Sequence, residues 1–346
     1  MKAALLYENQ QTLRIESVDT PKLEEGEALV QVDGTGLCRT DLKFLHGLMK
    51  PKSYPHILGH EISGKIVDSK PAGVADEESL GSMERSSKKV LVYFYITCGK
   101  CFYCSIGRSN LCVNLKRPGF ELPGGFCEYV KVPIQNLVPC DMEASSAVLA
   151  DAGATMLRAL RKVNPKAGTN IIVAGVGGLG TFGIQLAKEM DCKVIALDIE
   201  DHKLEFAREL GADITLNIST TNQMQASEKL QLENIVKPIE IFIDLVGNEM
   251  TQSLAIGLLS KGGKLLQVGW SPGTFSQVTL KKLVYDELEI LGSVASSRDD
   301  LRDIVELAEL GKIKLNVTKK FRLEEINAAI KEFEENRING RAVVIP

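Results

Sequence analysis

No stretch of this 346-residue sequence is apolar for long enough to cross a membrane. Its longest apolar runs, such as Ile171–Val176, have the length of a strand and fall far short of the roughly 20 residues a spanning helix needs. A strong charge of either sign is also missing. With 41 Lys and Arg against 45 Asp and Glu, the net charge is -4, which argues against a general polyanion binder and so against a nucleic-acid partner. No internal repeat and no low-complexity tract interrupts the chain. No secretory signal is expected either, since Met1-Lys-Ala-Ala-Leu-Leu-Tyr7 brings no long apolar segment before Glu8. The expectation is a soluble cytoplasmic protein. Its 44% apolar and 25% charged residues are ordinary for a globular chain, and its length favours two domains over one core.

Against this plain background the cysteines stand out. Cys98, Cys101, Cys104 and Cys112 fall within fifteen residues, and the gaps contain Gly99 and Gly107. A short loop of that spacing can wrap one tetrahedral zinc, with a thiolate at every ligand position. The alternative is a pair of disulfides, which needs an oxidising compartment; Cys38, Cys127, Cys140 and Cys192 are scattered, unlike a secreted framework. Cys127, Cys140 and Cys192 read as small buried apolar residues.

The first 150 residues look β-rich, with short runs at Ala28–Val32, Ile62–Val67, Val90–Tyr95 and Phe126–Val132 between Gly, Pro and polar turns. Ser69–Lys89 is polar without a clear period and reads as a surface loop. From about Ala154 strands and helices alternate. Strands are expected at Asn170–Ala174, Lys193–Leu197, Ile214–Leu216, Ile241–Val246, Lys264–Val268 and Leu288–Leu291. Helices fall at Gly178–Met190, His202–Leu210, about Thr221–Val236 and Met250–Leu259. Such alternation implies a parallel, doubly wound α/β sheet. Asp299–Leu310 and Leu323–Glu335 have helical spacing, and Ala342–Ile345 is a last strand.

Gly175-Val-Gly177-Gly178-Leu179-Gly180 follows a strand and opens a helix, and the next strand ends in Asp198, eighteen residues beyond the last glycine. In that context the pattern is a dinucleotide fingerprint. Gly175 serves a tight turn, Gly177 lets the backbone approach a pyrophosphate, and Gly180 allows close helix–sheet packing. The helix N-terminus offers N–H groups and partial positive charge to phosphates. Asp198 is placed to accept from ribose hydroxyls, and its charge would repel a 2′-phosphate. Ile199, Glu200 and Asp201 supply no arginine to offset this, so NAD is expected rather than NADP.

A mixed constellation lies upstream, at Cys38 and Gly59-His60-Glu61. A catalytic zinc commonly takes three protein ligands and keeps one exchangeable position. On the residues alone, Glu61 and Asp151 compete for the third place. Taken together, Cys38-Arg-Thr-Asp41, Gly59-His-Glu-Ile-Ser-Gly64, the four-cysteine lobe, Gly124-Gly-Phe-Cys-Glu-Tyr129 and the dinucleotide fingerprint occur in the order seen in zinc-dependent alcohol dehydrogenases. The chain resembles that medium-chain dehydrogenase/reductase family from end to end.

The resemblance implies a GroES-like β-barrel catalytic domain at 1–153 and 292–346, carrying both zinc sites, with a Rossmann NAD-binding domain inserted at 154–291. It matches Cys38, His60 and Asp151 to the three ligands of a catalytic zinc and the four-cysteine lobe to a structural zinc. Glu61 matches a nearby acid that can approach the metal, Thr40 the hydroxyl that hands the substrate proton onward, and Asp41 a carboxylate that orients His60. Arg39 and Arg341 match positions that reach the cofactor pyrophosphate, and Lys203 a ribose contact. Val268 and Trp270 fall where the chain passes the nicotinamide and the substrate pocket. Relatives of this kind suggest a homodimer or homotetramer acting on a small alcohol or carbonyl compound.

Some positions depart from the family pattern. Lys43 stands where many alcohol dehydrogenases have a histidine that completes the proton relay. Lys70-Pro71 and Ser87-Lys-Lys-Val90 replace the usual small residue and the usual turn, which makes the 69–89 segment unusual. His46 and His56 read as surface or pocket-edge histidines. The expected activity is NAD- and zinc-dependent interconversion of alcohols with aldehydes or ketones. A polyol or sugar dehydrogenase and a reductase of activated carbon–carbon double bonds are the alternatives within the superfamily. A non-catalytic nucleotide-binding scaffold would need none of Cys38, Thr40, His60, Glu61 and Asp151.

Overall fold

A computed structural model of the chain describes residues 1–84, 88–219, 238–275 and 277–346. It divides into two units: Met1–Ala154 with Ser296–Pro346, and Thr155–Ala295.

The first unit opens with β1 (Lys2–Leu6), β2 (Leu13–Ser17), β3 (Glu27–Gly36), β4 (His56–Ile57), β5 (Glu61–Lys70), β6 (Lys89–Val92), β7 (Tyr129–Pro133) and β8 (Leu137–Pro139). Alternation of apolar residues along β3 places Ala28, Val30 and Val32 on one face. They meet Ile62, Ile66, Val90, Val92, Val130 and Val132 in a buried cluster. Each Val or Ile removed from water there contributes about 1.5–3 kcal/mol. The antiparallel register sets Val30 opposite Ile66 and Thr35 opposite Ile62, so the end of β3 lies beside the start of β5. That pairing brings Cys38, just past β3, towards His60, just before β5.

The second unit contains β9 (Asn170–Ala174), β10 (Lys193–Asp198), β11 (Ile214–Asn217), β12 (Ile239–Asp244), β13 (Leu259–Gln267) and β14 (Glu289–Gly292). They form one parallel sheet in the order β11-β10-β9-β12-β13-β14. Near-continuous apolar strands such as β9, buried at every position, suit a sheet covered by helices on both faces. The order of the strands reverses between β9 and β12, and a crevice at their carboxyl ends is where such sheets bind ligands. The chain then returns to the first unit, where β15 (Val317–Arg322) and β16 (Arg341–Ile345) complete the order β15-β16-β3-β5-β6-β8, with β7 on β3.

The architecture is the GroES-like barrel and Rossmann-type sheet that the sequence implies, and β1, β2, β15 and the helices Arg39–Leu45 and Leu280–Tyr285 are elements the sequence reading left unassigned. The segment read as a loop from Ser69 to Lys89 extends β5 to Lys70 and then forms the helix Val74–Glu84. That helix packs on the barrel core through Leu80; its other apolar residues, Val74, Ala75 and Met83, do not recur with Leu80 at a sustained helical spacing, so the sequence carries no clear amphipathic period. The helix Ala152–Val163, unassigned from sequence, begins immediately after Asp151. The helix expected at about Thr221–Val236 lies outside the described residues.

Candidate metal and dinucleotide sites

Cys38 is the N-cap of the helix Arg39–Leu45. The Asp41 carboxylate accepts from the Cys38 N–H at 2.9 Å, and the Asp41 N–H donates to the Cys38 carbonyl at 3.0 Å, which locks the turn carrying the thiol. Asp151 lies between the 3-10 stretch Ala144–Leu149 and the helix Ala152–Val163. Three distant segments therefore converge: Cys38 Sγ is 3.9 Å and His60 Nε2 3.4 Å from Asp151 Oδ2. One donor atom from each of Cys38, His60, Glu61 and Asp151 lies within 4.8 Å of all the others.

This donor set fits zinc. Bonds of about 2.0–2.3 Å in a tetrahedron set ligand atoms roughly 3.3–3.8 Å apart, close to the separations found. The charge agrees with the geometry. Burial opposes a positive His60, yet the Asp151 carboxylate, the Cys38 thiolate and Asp41 together hold its imidazole pKa well above the ordinary value. Burial pushes Asp41 up, against the pull of His60, and pushes Glu61 up to about 7 against the adjacent Arg341 guanidinium. Arg341 donates to Glu61 Oε2 in a buried ion pair, while Glu61 Oε1 and Arg341 Nε have no hydrogen-bond partner among the described residues.

In the cysteine lobe, Cys101 caps the short helix Phe102–Ser105 and Cys112 follows a 3-10 turn. Cys101 and Cys104 sulfurs are 3.5 Å apart, as are those of Cys98 and Cys112. That is far longer than a disulfide of about 2.05 Å and near the edge of a zinc tetrahedron. Backbone N–H groups of Cys98 and Asn114 donate to Cys112 Sγ at 3.3 and 3.4 Å. The Lys100 N–H helps lower the Cys98 thiol to about 6, favouring the thiolate, whereas burial pushes Cys104 up to about 11. A four-thiolate zinc fits this group, since metal charge is what lets the half-buried Cys104 ionise.

In the second unit the glycine loop leaves β9 at Gly175, whose φ of 98° excludes most side chains. A Cβ on Gly180 would lie 2.1 Å from the Gly175 carbonyl oxygen, so the helix Gly178–Glu189 sits directly on the turn. A Cβ on Gly177 would meet nothing within 4 Å. The helix N-terminus thus faces an open cradle suited to a phosphate. Asp198, at the end of β10, accepts from the N–H groups of Val176 at 2.7 Å, Ile199 at 2.8 Å and Glu200 at 3.1 Å. A carboxylate offers about four acceptor sites, which leaves one for a ribose hydroxyl. Adjacent at the end of β12, buried Asp244 holds the Val246 and Gly247 N–H groups and the Thr251 hydroxyl, fixing the opposite rim of the crevice.

Cys38, Asp41, His60, Glu61, Asp151 and Arg341 are gathered in the first unit, and Gly175, Asp198, Lys203, Val268 and Trp270 belong to the second. Thr40 is half-buried on the first turn after Cys38. Arg39 is exposed and donates to Asn336 Oδ1 at 2.7 Å. Burial lowers the pKa of the half-buried Lys43. Lys203 and Val268 are half-buried, and Trp270 is 52% exposed. Sequence reasoning missed the Glu61–Arg341 pair, Asp244, and the aromatic wall of Phe94 and Phe120 around His60. The Glu61–Arg341 pair and the aromatic wall depend on contacts between distant segments, whereas Asp244 acts on its own turn, through Val246, Gly247 and Thr251.

Comparison with known proteins agrees with this geometry. Residues 24–142 match the family model of the alcohol dehydrogenase GroES-like domain, and residues 178–309 match that of the zinc-binding dehydrogenases. The NAD-dependent alcohol dehydrogenase of Sulfolobus acidocaldarius is 34% identical over 99% of both chains. The D-arabinose 1-dehydrogenase (NADP(+)) of Saccharolobus solfataricus is 34% identical over 100% of this chain and 97% of its own. The crystal structure of the alcohol dehydrogenase from Aeropyrum pernix superimposes with a TM-score of 0.87 at 32% identity, covering 100% of both chains. The chain is therefore an oxidoreductase and belongs to the zinc-type alcohol dehydrogenases of the medium-chain dehydrogenase/reductase family.

Proposed function

We propose that this enzyme interconverts alcohols with aldehydes or ketones by hydride transfer, with NAD and two zinc ions per chain. Cys38, His60 and Asp151 would hold a catalytic zinc, and Cys98, Cys101, Cys104 and Cys112 a structural one. A zinc in the first site supplies a Lewis acid that lowers a hydroxyl pKa or polarises a carbonyl, and NAD supplies the hydride acceptor or donor. The remaining work falls to the chain itself. Thr40, two residues past Cys38, takes the hydroxyl proton and passes it outward. Asp41 braces the Cys38 turn and faces His60 Nδ1 at 3.9 Å. Phe94 and Phe120 keep water from the imidazole. The glycine loop and the N-terminus of Gly178–Glu189 take the pyrophosphate, and Asp198 takes the adenosine ribose.

The observation that carries this reading is the meeting of a thiol, an imidazole and a carboxylate from three separate segments within bonding range of one ion. Metal counting tests it: two zinc ions per chain, one of them lost in Cys38→Ala and in Asp151→Ala together with activity. A single zinc surviving both substitutions would refute it. A sugar or polyol substrate is the second reading, favoured by the 34% identity to a D-arabinose dehydrogenase. A panel of primary, secondary and polyhydroxy alcohols with NAD and NADP separates the two. Reduction of activated double bonds is disfavoured by the retained ligand set.

We also propose a cytoplasmic homodimer or homotetramer. All eight cysteines are free thiols, as a reducing compartment keeps them. No helix among the described residues is long and apolar enough to cross a membrane. The strand β14 is a sheet edge among the described residues, and Leu280, Val284 and Tyr285 on the preceding helix are 80%, 66% and 74% exposed. A second copy could cover that face, and light scattering of the purified protein tests the assembly.

A further inference from the structure

We infer that Arg117 is a positioning residue for His60: with Glu121 it clamps Phe120 against the imidazole and sets the orientation of the ring. The inference rests on reading His60 as a metal ligand. Arg117 opens a tight loop in which its carbonyl accepts the N–H groups of Phe120, Glu121 and Leu122, each at 3.1 Å. Its guanidinium donates to Glu121 through Nε at 3.1 Å and Nη2 at 2.6 Å. Held flat by that fork, it lies over the Phe120 ring with Cζ 4.0 Å from the centroid. The Phe120 ring meets the imidazole of His60 at 5.2 Å and 65°. Phe94 stacks with Phe120 at 6.2 Å and touches His60 at 5.0 Å. Phe44, on the helix that Cys38 caps, packs edge-on to Phe120 at 5.3 Å.

The loop cannot drift from the ligand strand. A Cβ on Gly119 would lie 2.7 Å, and one on Gly124 2.2 Å, from the Gly59 carbonyl oxygen, so this backbone presses directly on the residue before His60. Asp41 Oδ1 is 3.9 Å from His60 Nδ1, beyond direct hydrogen-bond reach. Nε2 is turned to Asp151 Oδ2 at 3.4 Å, so the aromatic contacts on the faces of the imidazole supply the further restraint on its orientation, and Arg117 closes that wall from outside. Lysine cannot replace it, because an ammonium neither stacks flat on a ring nor grips both carboxylate oxygens in a planar fork.

The test uses full-length protein loaded with cobalt(II) as the probe at both metal sites. Arg117→Lys and Phe120→Leu should each change the visible absorption of the Cys38–His60–Asp151 site. Each should also speed cobalt release from it to a chelator by about tenfold, the usual scale for losing support around a metal ligand. The four-cysteine signal in the same molecule stays constant and controls for general unfolding. Wild-type absorption and release in Arg117→Lys would overturn the proposal, whatever its melting temperature. Should Arg117→Lys fail to fold, Glu121→Gln takes its place with the same two outcomes. Cys38→Ala checks the underlying site separately: if both cobalt signals persist there, the metal reading has failed, not the role of Arg117.

Discussion

Replacing Gly177 with alanine should weaken NAD binding without weakening the fold. The residue has extended backbone angles, φ -90° and ψ -157°, which alanine adopts, and its added Cβ meets nothing within 4 Å. Two small effects on stability oppose each other. A compatible Gly→Ala change gains about 0.4–1 kcal/mol through the unfolded chain, and alanine at an N-cap costs a similar few tenths to about 1 kcal/mol relative to glycine. The melting temperature should therefore stay within about 3 °C of wild type. The methyl nonetheless fills the space over the helix N-terminus. Loss of one charge-assisted hydrogen bond there costs about 1.5–3 kcal/mol, which raises the Kd about 10- to 150-fold. Gly180→Ala should do the reverse. Its Cβ would lie 2.1 Å from the Gly175 oxygen and 3.0 Å from its carbon, backbone atoms that no rotamer change relieves, at a cost of about 1–3 kcal/mol or more. NADH fluorescence titration and thermal melts of both variants provide the comparison. Wild-type NAD affinity in Gly177→Ala would refute the phosphate cradle. Equal destabilisation by the two substitutions would refute the account of how the loop packs.

Asp244→Ala should leave the Val246 and Gly247 N–H groups, at 2.9 and 2.8 Å, without their acceptor, at about 1–3 kcal/mol for each that water does not rescue, while the Thr251 hydroxyl can turn to Asn248. A clearly lowered melting temperature is expected, with Asp244→Asn milder; an unchanged melt would show that the carboxylate does not hold the rim. His56 is buried, its Nε2 without a hydrogen-bond partner among the described residues, and burial lowers its pKa. The unfolded chain is then protonated first, so stability is complete above about pH 6.5 and declines as pH falls through that value. His56→Gln should flatten the decline in melting temperature between about pH 7.5 and 5.5, and a parallel pH profile in the variant would contradict the assignment. Asp198→Ala should relax the preference for NAD over NADP, as measured by the ratio of kcat/KM values; a wild type that already prefers NADP would reverse the reading of that carboxylate.

The two halves of the protein were not equally legible. In the Rossmann unit, strand, turn and helix are contiguous, so the fingerprint at Gly175–Gly180 and Asp198 could be read with its physical role attached. The cysteine lobe was legible for the same reason, because all four thiols lie on one short loop. The helix Val74–Glu84 escaped notice because a solvated helix resting on one leucine needs no periodic apolar face. At the ligand cluster, Cys38 and His60 carried little meaning by spacing alone, and residues left Glu61 and Asp151 as equal candidates for a third ligand.

Local chemistry written along the chain thus determined the fold class, the dinucleotide turn and the thiolate site, since each needs only neighbours within a few tens of residues. Tertiary structure alone decided which side chains share a site. The β3–β5 register brings Cys38 to His60, and β16, paired with β3, carries Arg341 to Glu61 across 280 residues. The loop pressed on Gly59 sets Phe120 and Arg117 around the imidazole. The reason is physical: metal geometry, ion-pair burial and aromatic packing depend on separations in space of a few ångströms, and a linear sequence sets those only through the packing of the whole sheet.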